Sequence, residues 1–204
     1  MNILAIGAHP DDIEFGCGGA LLLYAKKGHS VFMLVMTEGE FGGVGSIRRV
    51  EQLNASKILQ AEEVFFSDYL DTQIPVDKTL ISKIEKILDS VKPDIIFVHY
   101  PNDTHQDHRN LAAATLSATR YVRNVLFYEG PTTQNFTPNV YIDICSSIDS
   151  KILALSAHKS QALKTHIENL SILEIAKAAA IFRGIQGRVR FAEGFVSERL
   201  FLTI

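Results

Sequence analysis

Short apolar runs alternate along the chain with stretches whose apolar residues recur at helical spacing. Asn2 to Gly7 and Ser30 to Met36 are near-continuous apolar runs of strand length, the pattern of strands covered on both faces. Glu63 to Ser67, Asp94 to His99, Asn124 to Tyr128 and Val140 to Ile144 read as further strands, and Arg190 to Phe195 as a last extended piece. Helices are predicted over Gly18 to Lys27, Ile47 to Gln60, Lys78 to Val91, Arg109 to Thr119, Ser147 to His158 and Ile167 to Phe182. The Lys78 segment is plainly amphipathic, with Leu80, Ile81, Ile84, Ile87 and Leu88 on one side. Gly16 to Gly19 read as flexible punctuation before the first helix and Gly28 as its stop. Strands separated by helices imply parallel pairing with right-handed crossovers. The expected fold is α/β, a Rossmann-like three-layer sandwich with a mostly parallel sheet, and with no linker or repeat residues 1–204 read as one domain.

In a sheet ordered 3-2-1-4-5, the first and fourth strands lie side by side and their following loops face one crevice, where open α/β sheets bind ligands. The first loop carries His9, Asp11 and Asp12 around Pro10, which disfavours helix there and implies an extended turn. The second carries Asp103, His105, Asp107 and His108. Two histidines and a carboxylate with one position left open are the usual make-up of a hydrolytic zinc site. Each piece alone has a plainer explanation: Asp11 as a helix N-cap with Asp12 solvated beside it, His105 and His108 as surface residues at a helix start. Seven acid or imidazole groups converging on one crevice point to metal binding or catalysis instead. His99 either lines the crevice or finishes its strand, and His158 either closes a helix, where the macrodipole favours its cation, or stands beside the site.

Composition narrows the class. The 204 residues are 47% hydrophobic, enough for a sizeable core, and a net charge of -3 with mixed signs gives no reason to expect nucleic acid or an acidic membrane as partner. Cys17 and Cys145 are too few for a disulfide framework and fit a reducing compartment, so the expected location is cytoplasmic. The apolar amino terminus is too short to span a bilayer. A small-molecule substrate is expected, and a homo-oligomer is compatible with the sequence.

His9-Pro10-Asp11-Asp12 together with Pro101-x-Asp103-x-His105-x-Asp107-His108 resembles the PIG-L or LmbE-like family of zinc-dependent N-deacetylases. Thr37-x-Gly39-Glu40, Arg48-x-x-Glu51 with Ala55, His158-Lys159-Ser160-Gln161 and Ala192-Glu193-Gly194-Phe195 resemble its lesser motifs. The resemblance implies a Rossmann-like fold, with His9, Asp12 and His108 as metal ligands and Asp11 as general base. It implies His105 as the group that steadies the oxyanion or protonates the leaving amine, an imidazolium in either role. Asp107 would orient His105 or His108 from behind, with His158 a candidate outer neighbour. Arg48 matches a position facing the substrate; alternatively it is an exposed helical arginine paired with Glu51. Asp103 stands where some members carry an aromatic hydroxyl. Zinc is the implied ion, with ferrous iron suited to the same ligands. The implied substrate is an N-acetylated amino-sugar compound such as a thiol glycoside, a nucleotide sugar or a glycan precursor. The alternative is a non-catalytic metal- or nucleotide-binding Rossmann-like protein. Gly16-Cys17-Gly18-Gly19 invites nucleotide binding, but it lacks the G-x-G-x-x-G spacing and follows two aspartates that would repel a pyrophosphate.

Overall fold

The computed structural model describes residues 1–201. Its elements run β1 (Asn2–Gly7), α1 (Asp12–Lys26), β2 (Ser30–Val35), α2 (Gly45–Ile58), β3 (Glu63–Phe66), α3 (Lys78–Val91), β4 (Ile95–His99), α4 (Gln106–Ala118), β5 (Val125–Tyr128), β6 (Val140–Asp143), α5 (Ile148–Ser156), α6 (Ile172–Gly187) and β7 (Ala192–Arg199). One sheet has the order β3-β2-β1-β4-β5-β7-β6. The expected 3-2-1-4-5 arrangement is parallel throughout, and β7 pairs antiparallel with both β5 and β6. β1 and β4 are neighbours, with Ile3 opposite Ile95 and Ala5 opposite Phe97, so the loops that follow them open at the same edge.

The sheet is covered on both faces, which explains why β1, β2 and β4 are apolar without alternation. On one face Leu21, Leu22, Ala55 and Leu59 from α1 and α2 pack against Ile3, Ala5 and Phe97. On the other, Leu80, Ile84, Leu111 and Ala114 from α3 and α4 pack against Leu4, Ile6, Ile96 and Val98. Asp77 caps α3 by accepting from the Leu80 N–H, and the amphipathic face read from sequence is the one that meets the sheet.

Several helix boundaries differ from the sequence reading, the larger shifts being at the starts of α1, α4 and α6 and at the end of α6, which runs on to Gly187. α1 begins at Asp12, so Gly16, Gly18 and Gly19 are helical and not flexible punctuation. A β-carbon on Gly16 would overlap the Tyr128 ring, whose hydroxyl donates to the Ile6 carbonyl at 2.8 Å. The glycine thus serves close helix-to-sheet approach. Gly16→Ala is expected to destabilise the fold by about 1–3 kcal/mol, because the fully buried ring has nowhere to go; urea denaturation measures it. α4 begins at Gln106, placing Asp107 and His108 in its first turn. α6 runs from Ile172 instead of Ile167, started by a capping box between Ser171 and Glu174.

Candidate active site

The β1–α1 loop is not the extended turn that Pro10 suggests. Asp11, directly before α1, sits at φ 97°, ψ -23°, in left-handed territory for a residue with a β-carbon. Such conformations cost about 1–3 kcal/mol and persist where surrounding contacts fix them. Here the Arg48 guanidinium donates to the carbonyls of Gly39 at 2.6 Å and Pro10 at 2.8 Å and approaches Asp11 Oδ2 at 3.4 Å. The strain lets the chain turn at once into the helix. Asp12 then reaches back to accept the His9 N–H at 2.7 Å, and its carboxylate faces the crevice.

His9, Asp12 and His108 meet there. His9 Nδ1 lies 3.3 Å from Asp12 Oδ2, His108 Nε2 lies 3.4 Å from Asp12 Oδ1, and the two ring nitrogens are 3.4 Å apart. Corners of a tetrahedron with arms of about 2.0–2.1 Å are separated by about 3.3–3.4 Å, so these donors fit one zinc-sized cation. The nitrogens facing away are held by carboxylates. His9 Nε2 meets Asp71 Oδ1 at 3.0 Å and Asp107 Oδ2 at 3.2 Å, and His108 Nδ1 meets Asp103 Oδ2 at 3.3 Å. A carboxylate behind each imidazole fixes the tautomer and leaves the other nitrogen bare for a cation.

Asp107 therefore backs His9, whereas the sequence reading paired it with His105 or His108. It is anchored by the N–H groups of Thr72 at 2.7 Å and Ile74 at 3.2 Å, contacts from the β3–α3 loop that no local spacing reveals. Asp103 is the residue behind His108; it also accepts the His105 N–H at 2.8 Å and the Thr133 hydroxyl at 2.9 Å. Although its burial opposes ionisation, His108, the His105 N–H and the Thr132 hydroxyl hold its carboxyl well below the usual range. Asp71 escaped the sequence reading. Its signal there is weak, since Asp68 comes before it in the same loop after the third strand.

His105 is the N-cap of α4, with Nδ1 accepting the Asp107 N–H at 3.2 Å. An acceptor at Nδ1 leaves the proton on Nε2, so His105 is the neutral tautomer and not an imidazolium. Burial lowers its pKa, and the charges of His9 and His108 lower it further. In contrast, burial lowers the pKa of His108 but Asp12 and Asp103 outweigh it, lifting it to about 9. His99 lines the site: its ring stacks on His108 at 3.9 Å, and burial together with the His108 charge pushes its pKa down to about 4.

Asp11 stands beside these donors without joining them, a quarter of its side chain open to solvent. Burial of the rest, with Asp12 adding, pushes its carboxyl up to about 6, against the pull of Arg48, His158 and His9. Arg48 is 4% exposed and both its terminal nitrogens are engaged, so it braces the loop under Asp11 and does not face an open crevice. It is not paired with Glu51 either, whose carboxylate accepts the Ser160 N–H and hydroxyl at 2.8 and 2.6 Å. His158 lies beyond the end of α5, fully buried, 3.5 Å from Glu14 Oε2, and not at an exposed helix terminus.

A Rossmann-like sheet thus brings together His9, Asp12 and His108, a group whose spacing could hold a metal ion, with the Asp11 carboxylate beside it. The PIG-L family, described as GlcNAc-PI de-N-acetylase, matches residues 4–119, and the chain belongs to that family. It is 38% identical over 168 residues to the uncharacterized deacetylase YaiS of Escherichia coli K12, covering 78% of this chain and 91% of the relative. It is 24% identical to the diacetylchitobiose deacetylase of Thermococcus kodakarensis, covering 95% and 81%. Its structure also superposes on the 4-carboxy-2-hydroxymuconate hydratase of Pseudomonas putida KT2440 with a TM-score of 0.86 at 22% identity, covering 100% and 99%. The deacetylase relatives mark the chain as an enzyme, while the hydratase shows that this fold alone does not set the reaction. Among the described residues no helix is long and apolar enough to cross a membrane.

Proposed function

We propose that the chain is a divalent-metal-dependent N-deacetylase that removes the acetyl group from an amino-sugar-containing small molecule, such as a thiol glycoside, a nucleotide sugar or a glycan precursor. The observation that carries this reading is the cation-sized spacing of His9 Nδ1, Asp12 and His108 Nε2, with the Asp11 carboxylate outside that group and next to it. These three residues would hold zinc, or ferrous iron with the same nitrogen and oxygen donors. Such an ion, when bound, supplies Lewis-acid polarisation of the amide carbonyl and lowers the pKa of water.

The chain's own groups account for the proton movements. Asp11 takes the proton from the attacking water, and a carboxylate with a raised pKa does so better than an ordinary one. As the amide C–N bond breaks, the same proton passes to the nitrogen, releasing acetate and a free amine. Because His105 is a neutral Nε2–H donor, its part is to hydrogen-bond the carbonyl oxygen as negative charge grows there, not to supply the amine's proton. Asp71, Asp107 and Asp103 keep the two cradle imidazoles turned inward. Arg48 acts on the substrate only through the loop and Asp11. The free thiols of Cys17 and Cys145 support a cytoplasmic setting.

His105→Ala is expected to lower kcat by about 100- to 1,000-fold, the usual cost of one oxyanion donor. KM should change far less, and the metal should stay. Steady-state kinetics with metal analysis on the same preparation checks both. The function itself is tested by offering a panel of N-acetylated amino sugars, N,N′-diacetylchitobiose included, and measuring free amine. Hydration of an unsaturated dicarboxylate with no amine released from any acetamido sugar would place the protein with the hydratases instead.

A further inference from the structure

Behind the crevice, between α1, α2 and the segment after α5, lies a sealed polar chain that the reaction scheme leaves unused. Glu14 is fully buried, and its Oε1 accepts the Gln52 side-chain amide at 2.6 Å. This contact fixes which way the Gln52 amide points. Its nitrogen must face Glu14, and its oxygen is left to accept the Asp11 N–H at 3.3 Å. The other Glu14 oxygen has no hydrogen bond but stands 3.5 Å from His158 Nε2, on a ring that is itself fully buried with no hydrogen-bond partner for either nitrogen. His158 is the titratable side chain that the structure places against this oxygen of Glu14. The nearby buried Lys151 is committed elsewhere, to Glu193 and the Phe15 carbonyl.

We propose that Gln52, oriented by the buried Glu14–His158 pair, is a positioning residue that holds Asp11 in its left-handed conformation and so aims its carboxylate. The inference rests on the reading of Asp11 as the proton acceptor. Without an acceptor on its N–H, a non-glycine residue at φ 97° has reason to relax, and a small swing of the carboxylate takes it out of line with the attacking water. Arg48 braces the carbonyl side of the same turn through Pro10, and Gln52 braces the N–H side.

The decisive variant is Gln52→Met, which keeps the length and suits a pocket already shared with Met33 Sδ at 3.7 Å. A crystal structure of this variant should show Asp11 out of the left-handed region, and an unmoved Asp11 overturns the proposal whatever the substrate. With N,N′-diacetylchitobiose as probe, kcat should fall by up to about 100-fold with KM and metal content little changed. On the Asp11→Asn background the same substitution should cost nothing further, since it acts through the side chain already removed. An equal fractional loss in both backgrounds makes Gln52 merely structural and overturns the proposal. Full activity in Asp11→Asn alone refutes the reading of Asp11, a separate failure that leaves the crystallographic result to decide the role of Gln52. If Gln52→Met does not fold, Glu14→Gln frees the amide to rotate and carries the same measurements.

Discussion

Asp11→Asn is expected to retain a full complement of metal and to lose amide hydrolysis by about 100- to 10,000-fold, the range typical of a removed general base. The substitution preserves shape and leaves the backbone N–H that donates to Gln52, while it removes the ability to take a proton along with the charge facing Arg48. Asp11 is separated from the cation cradle by function but not by sequence: Asp12, its neighbour, turns inward to within 3.3–3.4 Å of both candidate imidazoles, whereas Asp11 points to Arg48. If metal left together with activity, Asp11 would be a ligand; if turnover were unchanged, it would have no part in the mechanism. Metal analysis and turnover measured on one preparation separate these results.

His108→Ala should be more severe, because it removes one cradle donor and also strands a buried carboxylate. Asp103 is 4% exposed and relies on His108 at 3.3 Å as its cationic partner. Stripping one member from a buried pair costs about 3–5 kcal/mol. The variant is expected to bind no stoichiometric metal, to show no turnover and to unfold at markedly lower urea concentration. Adding Asp103→Asn should restore part of the stability and none of the metal or activity, since it relieves the stranded charge without rebuilding the donor. Metal uptake by the unsubstituted protein should itself weaken as the pH falls. With its pKa near 9 in the metal-free chain, His108 must give up a proton to accept a cation, and lower pH favours that proton.

What the sequence revealed and what it hid divide along physical lines. The apolar runs of β1, β2 and β4 announced strands buried on both faces, and the 3-2-1-4-5 order followed from the helices between them. That order alone brought His9 and Asp12 next to His108, ninety-six residues away from Asp12 in the chain. Other features depend on contacts that no local pattern encodes. Gly16 to Gly19 look like a loop until the Tyr128 ring is seen lying against Gly16. The sequence pairs Asp107 with His105 or His108 because all three sit on one stretch; only the side-chain directions at the start of α4 turn Asp107 to His9 and put Asp103 behind His108. Asp71 arrives from a different loop altogether. Likewise the tautomer of His105 follows from one backbone N–H two residues on, and its lowered pKa from burial and the nearby His9 and His108, neither of which spacing alone reports.

The proposed role of His9, Asp12 and His108 is to hold one divalent ion required for N-deacetylation. Its most direct test is to measure bound metal and amine release from N-acetylated amino sugars on the same protein, as purified, after chelation and after re-addition of zinc or ferrous iron. One ion per chain, with activity lost on chelation and regained with the ion, is the expected result. Deacetylation that persists at full rate in chelated, metal-free protein would contradict it.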